Sequence, residues 1–496
     1  MMTLLLAAGA LLAGATAAHA ETSCADLAKV ALPHAEVTQA IEADAGGKPA
    51  CKVLVTSRPT ADSDIRIEVW IPRGEAWNGK YVQIGNGGLA GAIPSTGIKD
   101  RASSGYASAG TDDGHEADGR SGEWAYKHPQ KIADFAWRSL KETTDAAKAL
   151  IAAQKGVGFI RSYFVGCSAG GREALMEAQR FPNDFDGIVA GAAANYNTLG
   201  AANRAYIMQA LAKPGAYLGK LQLELLQSAA LNQCAQGGAF IRDQAACHFD
   251  PGKLRCKPGQ VGDRCLTAAQ VASARAIYTG RVDRSGHLLF PGYTPGAEAL
   301  EGGYQAWITG PAGEHNDRAA GYQFSSQVMK YFIYGDPNFD ILKADLGAKY
   351  DRDRPAAATV IDAVNPDLST FVKHGGKLIQ YHGWNDPGLP PLGSVRYRNE
   401  LIGKMGDTSG FYRLYMIPGM LHCRGGAGPG EVDWLSVVDD WVSHTKPPGP
   451  ILASAGNEKQ VAARSQLLCP YPSVARGKGD NASGYRCEMR KPARKS

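Results

Sequence analysis

The stretch that decides the fold is "FVGCSAGG", residues 164–171. Its core, Gly166-Cys167-Ser168-Ala169-Gly170, fits the pattern Gly-x-Ser-x-Gly. An apolar run precedes the pattern, and "REALMEAQRF" (172–181), which has helical spacing, follows it. A strand, a sharp turn and a helix in this order form a nucleophile elbow, in which glycines allow the turn and the serine stands above the sheet. The alternative is an ordinary glycine-rich turn whose serine caps a helix.

Other segments predict further strands and helices of the same fold. The strand-like runs are "IRIEVWIP" (65–72), "GKYVQIGNGG" (79–88), "RSYFVG" (161–166), "FDGIVAG" (185–191), "GKLIQYHG" (376–383) and "FYRLYMIPG" (411–419), and "DWLSVVDDWV" (433–442) is amphipathic. Strands that alternate with helices indicate an α/β fold with a mainly parallel sheet covered on both faces. Residues 196–365 lack this alternation, so we predict an inserted lid there. The predicted division is a signal peptide (1–20), the first part of the α/β domain (21–195), the lid (196–365) and the second part (366–496).

The first residues, "MMTLLLAAGALLAGATAAHA" (1–20), form an apolar run that ends in Ala-His-Ala. This pattern predicts a removed signal peptide and a secreted or periplasmic protein, and a simple N-terminal helix is the alternative. The formal net charge is only +5, and the basic "RKPARKS" (490–496) is typical of a solvated tail. We therefore expect a small-molecule partner rather than a nucleic acid or a membrane. The sequence does not decide the oligomeric state.

Ten cysteines in a chain predicted to be exported indicate disulfide bonds. Zinc is the rival interpretation, but no Cys-x-x-Cys occurs and no histidine is interleaved at zinc spacing. The spacing predicts four local pairs: Cys24–Cys51, Cys234–Cys247, Cys256–Cys265 and Cys469–Cys487. Two distant cysteines, Cys167 and Cys423, are left over.

A nucleophilic serine needs a base and an acid that orients the base. In α/β folds of this kind the chain order is Ser, then Asp or Glu, then His. Asp386 in "LIQYHGWNDPGLPP" (378–391) and His422 in "YMIPGMLHCRGG" (415–426) fit that order, while His382 and His444 compete for the role of base. If Cys167 and Cys423 join, their bridge would hold the Ser168 and His422 loops together. In a nucleophile elbow, the backbone N–H of Ala169 would point at the oxyanion that develops in the reaction.

Several stretches resemble the tannase and feruloyl esterase family of secreted α/β hydrolases, which includes mono(2-hydroxyethyl) terephthalate hydrolase. The resemblance covers nearly the whole chain after residue 20. The matching stretches are "AWNGKYVQIGNGG" (76–88), "TDDGH" (111–115), "YFVGCSAGGREAL" (163–175), "FPNDFDGIVAGA" (181–192), "YHGWNDP" (381–387), "MIPGMLHCRGGAGPG" (416–430) and "LCPYPSVARGKG" (468–479). The resemblance implies Ser168 as nucleophile, His422 as general acid and base, Asp386 as orienting acid and a Cys167–Cys423 disulfide. It also implies a lid that forms most of the substrate pocket.

The same resemblance implies further site residues. Gly88, or alternatively Gly87, would supply the second oxyanion N–H beside that of Ala169. In the lid, Trp307 and Arg318 would bind the substrate ring and a carboxylate; the alternative is a packed tryptophan and a solvent-facing arginine. The family usually has an acidic calcium loop in the lid, but here "CAQGGAFIRDQAAC" (234–247) holds a single carboxylate, Asp243. Since calcium needs several oxygen ligands, we expect no metal and no other cofactor.

The sequence therefore predicts an exported serine esterase that acts on esters of aromatic acids, such as gallate or hydroxycinnamate esters, through an acyl-enzyme. An alternative within the class is a hydrolase of terephthalate half-esters. An alternative of another class is an esterase-like protein that binds without turnover. The sequence does not identify the acyl group or the alcohol.

Overall fold

The structure, a computed structural model, describes residues 21–156, 158–260, 262, 264–311, 316–454, 465–477 and 482–490. The predicted signal peptide lies outside these ranges. The strands are β1 (Ala35–Asp44), β2 (Pro49–Ser57), β3 (Ile65–Pro72), β4 (Lys80–Ile84), β5 (Ala107–Thr111), β6 (Arg161–Cys167), β7 (Gly187–Gly191), β8 (Gly280–Val282), β9 (Leu288–Pro291), β10 (Lys377–Gly383), β11 (Tyr412–Ile417), β12 (Ile451–Ser454), β13 (Ser465–Leu468), β14 (Ser473–Gly477) and β15 (Tyr485–Met489).

Within the described ranges, nine strands form one sheet in the order β1-β2-β3-β5-β4-β6-β7-β10-β11. Neighbouring strands are parallel from β5 to β11, whereas the pairs β1–β2, β2–β3 and β3–β5 are antiparallel. The remaining strands form the small antiparallel pairs β8–β9, β12–β13 and β14–β15. Because β6, β10 and β11 are parallel, the loops that follow them begin at the same edge of the sheet.

The helices lie between the strands and beyond them. They are α1 (Ser95–Ser103), α2 (Pro129–Ala133), α3 (Ser139–Lys155), α4 (Ala169–Arg180), α5 (Asn197–Leu211), α6 (Lys220–Cys234), α7 (Ala268–Thr279), α8 (Ala320–Gln327), α9 (Ala348–Asp353), α10 (Pro355–Ile361), α11 (Ser369–Lys373), α12 (Leu392–Met405) and α13 (Trp434–His444). Turns of π-helix cover Asp134–Arg138, Gln305–Thr309 and Val328–Tyr334, and short 3₁₀ segments cover Ala25–Lys29, Gly74–Ala76, Glu123–Ala125, Gln244–Ala246, Pro251–Leu254, Asn316–Arg318 and Ala482–Gly484.

Helices cover both faces of the parallel part of the sheet. Successive residues of a strand point to opposite faces, so Phe164 of β6 packs against one set of helices and Tyr163 against the other. The first face holds apolar side chains of α3 and α4, and the second holds Trp434 and Trp441 of α13. Strands that are buried on both faces read as nearly continuous apolar runs. The predicted α/β fold with a mainly parallel sheet is confirmed.

The chain between β7 and β10, residues 192–376, is mostly helical; we call it the β7–β10 segment. Its helix α5 is buried on most sides, with Ala201 and Ala205 in one apolar cluster and Ile207 and Leu211 in another. A helix that is apolar nearly all round lies inside the protein. The segment is therefore built around α5, and the lid boundaries remain a prediction.

Five disulfides connect the ten cysteines. They are Cys24–Cys51, Cys167–Cys423, Cys234–Cys247, Cys256–Cys265 and Cys469–Cys487. Four of them close short stretches of chain, whereas Cys167 and Cys423 are 256 positions apart. No helix in the described ranges has the length and apolar character that a bilayer-spanning helix requires.

Candidate active site

The sharp turn between β6 and α4 carries Ser168. Its backbone has φ 64° and ψ −119°, a combination that residues with side chains rarely adopt. The Ser168 N–H donates to Gly191 O at 3.0 Å, which fixes the turn against β7. A Cβ on Gly166 would lie 2.3 Å from Gly170 O, and a Cβ on Gly170 would lie 2.8 Å from Asn86 O. These close approaches explain the glycines on both sides of the serine.

Side chains from three loops at this edge form a hydrogen-bonded chain. His422 Nε2 lies 2.9 Å from Ser168 Oγ, and His422 Nδ1 lies 2.7 Å from Asp386 Oδ2. Asp386 lies in the loop after β10, and His422 lies in the loop after β11. When Nδ1 donates its proton to the carboxylate, Nε2 can accept the proton of the serine hydroxyl. The structure thus brings together the three residues that the sequence suggested as nucleophile, base and acid.

The Asp386 carboxylate is buried and accepts hydrogen bonds on both oxygens. Oδ1 accepts from the N–H groups of Gly388 at 2.7 Å and Leu389 at 2.9 Å, while Oδ2 faces His422 and His382. Burial would raise the pKa of the Asp386 carboxyl, but the charge of His422 and hydrogen bonds from His382 and His422 outweigh it and lower that pKa below its usual range. Asp386 is therefore an ionised, fixed acceptor for the histidine.

His382 is a second histidine on this carboxylate. Its Nε2 lies 3.0 Å from Asp386 Oδ2, and its Nδ1 lies 2.8 Å from Ser394 Oγ. Ser394 also accepts from Gln380 Nε2 at 3.0 Å, and Gln380 Oε1 accepts from the Tyr412 hydroxyl at 2.7 Å. All these side chains are buried. The sequence offered His382 as a competing base, but the structure places it behind the acid, where it supports Asp386.

The disulfide Cys167–Cys423 links the two halves of this arrangement. The Cα atoms of the two cysteines are 6.1 Å apart. Cys167 directly precedes Ser168, and Cys423 directly follows His422. The bridge therefore ties the turn that carries the serine to the loop that carries the histidine.

Two backbone amides border the same space as Ser168. Ala169 is the first residue of α4, so its N–H has no acceptor within the helix. Gly88, in the loop after β4, lines the same cavity, as does Gly87. A Cβ on Gly88, whose φ is +62°, would lie 2.3 Å from Gly119 O, so this position requires glycine. Both residues whose amides were suggested as oxyanion donors thus line the same cavity as the serine.

The cavity above Ser168 has a volume of about 330 Å³. Trp307 and Phe324 of the β7–β10 segment line it, with their rings 6.1 Å apart, and the Trp307 ring lies 4.9 Å from that of His422. Trp307 is thus at the site, as the resemblance implied. Arg318 is exposed and is not among the described residues that line this cavity.

Asn197 and Arg204 of α5 also line the cavity, and no sequence motif pointed to them. Arg204 is only 7% exposed, and burial lowers the pKa of its guanidinium below its usual value. One signal was present in the sequence. A single arginine interrupts the largely apolar "GAANRAYIMQAL" (200–211), and arginine is seldom buried without a partner.

The loop between Cys234 and Cys247 does not fit a calcium ion. Its single carboxylate, Asp243, pairs through one oxygen with Arg476 at 2.7 Å and through the other with Arg490 at 2.8 Å. Calcium takes about six to eight oxygen ligands. Nowhere in the described ranges do three or more His, Cys, Asp or Glu side chains cluster as metal ligands. The two arginines bind the oxygens that a metal would need.

The fold and the geometry at its carboxyl edge define the class of α/β hydrolases. A family model described as tannase and feruloyl esterase matches residues 51–488. The chain belongs to the tannase and feruloyl esterase family, and it is a carboxylic ester hydrolase.

Individual relatives agree with this assignment. An uncharacterized esterase from Xanthomonas campestris pv. campestris is 34% identical, with 98% of this chain and 94% of the relative covered. A probable feruloyl esterase B-2 from Aspergillus terreus is 33% identical, with 79% and 72% covered. The crystal structure of an esterase from Aspergillus oryzae matches with a TM-score of 0.83 at 26% identity, with 94% and 99% covered. The predicted family and the α/β-hydrolase fold are confirmed.

Proposed function

We propose that the protein hydrolyses esters of aromatic acids, with hydroxycinnamate and gallate esters as the main candidates, through Ser168, His422 and Asp386. The observation that carries the proposal is the hydrogen-bonded chain that runs from Ser168 through His422 to Asp386. Ser168 and His422 line a cavity that Trp307 and Phe324 also line. A cavity of about 330 Å³ lies within the range of small-molecule sites. Two aromatic side chains favour an aromatic acyl group, because rings stack on or against each other.

In the proposed reaction, Ser168 Oγ attacks the ester carbonyl carbon while His422 Nε2 takes the hydroxyl proton. The N–H groups of Ala169 and Gly88 stabilise the resulting oxyanion. The alcohol leaves with the proton from His422, and an acyl-enzyme remains on Ser168. His422 then deprotonates a water molecule, whose oxygen attacks the acyl carbon; the bond to Ser168 Oγ breaks, His422 returns the proton to that oxygen, and the acid is released. Asp386 holds the imidazole in the required tautomer throughout.

The relatives support the acyl group of this proposal, since one of them is named a probable feruloyl esterase. The alternative substrate, a terephthalate half-ester, came from the family resemblance and stays a second candidate; Arg318, suggested to bind its carboxylate, is not among the described residues that line the cavity. The alternative of a protein that binds without turnover finds no support in a family of esterases.

Replacing the nucleophile tests the mechanism. Ser168→Ala removes the attacking oxygen, so hydrolysis of methyl ferulate, methyl gallate and p-nitrophenyl acetate should fall by about a thousandfold or more. A fluorophosphonate probe should label the original protein at Ser168 and leave the variant unlabelled. Retained turnover above a tenth of the original rate in the pure variant would show that another residue is the nucleophile.

We also propose that the protein needs no metal. Because Asp243 is bound by Arg476 and Arg490, EDTA should change neither the melting temperature nor the rate of ester hydrolysis. A melting temperature that falls by many degrees in EDTA and recovers with calcium would contradict this.

Export is proposed from the apolar segment 1–20 and from the five disulfides, which persist mainly in oxidising compartments. N-terminal sequencing of the protein from its native cells should begin at Glu21. If the protein isolated from those cells still begins with residues 1–20, the segment is not cleaved and the proposed signal peptide is wrong.

A further inference from the structure

We infer that Glu173 and Asp113, two buried acids that share one proton, are positioning residues that hold the glycine loop (residues 85–88) in place beside Ser168. The inference rests on the proposed function, because this loop carries Gly88, whose N–H is the second proposed donor to the oxyanion. Neither acid is among the described residues that line the cavity above Ser168. Both would therefore act on the reaction only through the loop.

The glycine loop is bound to α4, the helix that begins directly after the nucleophile. The Asn86 N–H donates to Glu173 Oε2 at 2.9 Å, and Asn86 O accepts from the Gly170 N–H at 2.7 Å. A Cβ on Gly85 would lie 2.9 Å from Glu173 Oε2, so the loop packs directly against this carboxylate. Glu173 thus fixes the loop relative to the helix whose first N–H is the other proposed oxyanion donor.

The second acid, Asp113, lies in the loop after β5 and contacts both partners of this bond. Its side chain forms hydrogen bonds with Asn86 and Glu173, and its Oδ1 accepts from Ser139 Oγ at 3.1 Å. Its backbone has φ 64°, a value that residues with side chains adopt at a cost in free energy. Asp113, Glu173 and Asn86 are all buried. The strained backbone of Asp113 therefore keeps its carboxyl against Glu173 and the glycine loop.

A single proton satisfies both acids. When both are ionised, the buried atoms Asp113 Oδ2 and Glu173 Oε1 have no hydrogen-bond partner among the described residues. A proton on Asp113 lets it donate to Glu173 and gives both oxygens a partner. Burial and the charge of Glu173 raise the pKa of the Asp113 carboxyl well above its usual range. The charge that remains on Glu173 faces the buried guanidinium of Arg172, 3.7 Å away.

The ionised Glu173 is a strong acceptor for the loop, because a hydrogen bond to a charged group is stronger than one between neutral groups. An oxyanion donor acts only within about 3 Å of the oxygen that becomes charged. A loop that loses its bond to Glu173 should therefore stabilise the transition state less. Since the oxyanion is absent from the bound ester, substrate binding should change little.

Substitutions at the two acids test this positioning. Glu173→Met removes the acceptor of the Asn86 N–H, and kcat for methyl ferulate should fall about 10- to 100-fold with little change in KM, somewhat less than on removal of an oxyanion donor. Glu173→Gln keeps an oxygen for Asn86 and supplies an N–H to Asp113, so it should keep most of kcat. Asp113→Asn carries a permanent donor in place of the shared proton and should keep most of kcat too.

Glu177→Met is the matched control. Glu177 is a buried acid one turn further along α4, and neither of its carboxylate oxygens has a hydrogen-bond partner among the described residues. Its loss should leave kcat unchanged.

Hydrogen exchange read by mass spectrometry follows the loop without turnover. The peptide that contains the Asn86 N–H should exchange about tenfold faster or more in Glu173→Met, as for a lost hydrogen bond to a charged group, and at the original rate in Glu173→Gln. If exchange changes in this way but the original protein hydrolyses no ester, the positioned loop stands and the proposed reaction fails.

Other outcomes overturn the inference and leave the proposed function intact. They are an original protein that hydrolyses methyl ferulate together with an unchanged kcat in Glu173→Met, or a loss of kcat in Glu173→Gln or Glu177→Met as large as in Glu173→Met. An equally large loss in Asp113→Asn would refute the shared proton. Should Glu173→Met fail to fold, Glu173→Asp, whose carboxylate is one methylene shorter, decides by the same measurements.

Discussion

At the scale of single residues, the hydrogen bonds of Asp386 fix the orientation of the His422 imidazole. Its carboxylate receives two backbone N–H groups on one oxygen and faces two histidines on the other. With every acceptor position used, the carboxylate has a single orientation, and so has the imidazole of His422 that donates to it. His382 contributes to this although it touches neither Ser168 nor the cavity among the described contacts.

The support from His382 is testable as a positioning effect. His382→Leu removes one hydrogen bond to a buried carboxylate, so we expect kcat to fall about tenfold or more with little change in KM, since a hydrogen bond to a charged group is lost. His382→Gln, which can still donate to Asp386, should recover part of kcat. Steady-state kinetics on methyl ferulate measures both constants.

The control for this prediction is His444→Leu. His444 is exposed and pairs with Asp440 within α13, so its loss should leave kcat unchanged. If His382→Leu changes only the melting temperature, or if His382→Gln recovers nothing, His382 has a merely structural role.

At the scale of the elements, the turn between β6 and α4 depends on the absence of side chains. Gly166→Ala would place a Cβ 2.3 Å from Gly170 O, a backbone atom that cannot move without displacing Ser168. We expect unfolding free energy to fall by about 1–3 kcal/mol, as for other overpacked sites, and kcat to fall with it. Thermal denaturation and kinetics measure the two effects.

Gly403→Ala is the matched control for Gly166→Ala. Gly403 lies within α12, is exposed, and has no heavy atom within 4 Å of an added Cβ. Alanine should therefore stabilise the protein by up to about 1 kcal/mol, because glycine loses more backbone entropy in a helix. Equal destabilisation by both changes would refute the steric argument.

The strands that the sequence predicted are those whose side chains are buried on both faces of the sheet. The run "IRIEVWIP" is β3, and the strands of the parallel part were all found from their apolar runs except β5. Two of the strands that were not predicted carry weak signals: β5 is "ASAGT", made of small residues, and β1 is a largely exposed edge strand. Both are held by pairing with neighbours, which periodicity alone does not reveal.

The residues of the candidate site also fall into two groups, those that the sequence suggested and those that it did not. Ser168, Asp386 and His422 stand in motifs at strand ends, so chain order and the family resemblance together suggested them. Arg204 stands inside a helix, and which residues of α5 border the cavity depends on how the helix packs, which one sequence does not show. The same holds for Arg318, because the gapped alignment that suggested it as a carboxylate-binding residue carried no spatial information.

At the scale of the whole molecule, the Cys167–Cys423 bridge joins distant parts of the chain. In the chain-entropy model, a disulfide across 256 positions stabilises the fold by about 5 kcal/mol, and one across 9 positions by about 3 kcal/mol. We expect Cys167→Ala with Cys423→Ala to lower the melting temperature and to lower kcat more than KM, because proton transfer requires close Ser–His geometry.

The matched control replaces Cys256 and Cys265 together. The bridge between them closes a short loop of the β7–β10 segment. It should lower the melting temperature less and leave kcat nearly unchanged. If both double variants lose kcat equally, the long bridge does not act on the Ser–His pair. A non-reduced digest should show the Cys167 and Cys423 peptides linked to each other.

The positions of these two cysteines also determine when, during synthesis and oxidation, the Ser168 turn and the His422 loop can be joined. Translation produces the turn with Ser168 long before it produces His422 and Cys423, since Cys167 and Cys423 are 256 positions apart. A polypeptide that ends before His422 therefore holds Ser168 without its proposed base, and we expect it to hydrolyse esters much more slowly. Under the proposed mechanism, the full rate of hydrolysis is expected only after the loop with His422 has been made and an oxidant has joined the two thiols. If the chain is exported unfolded, as proposed, its full esterase activity would develop only outside the cytoplasm.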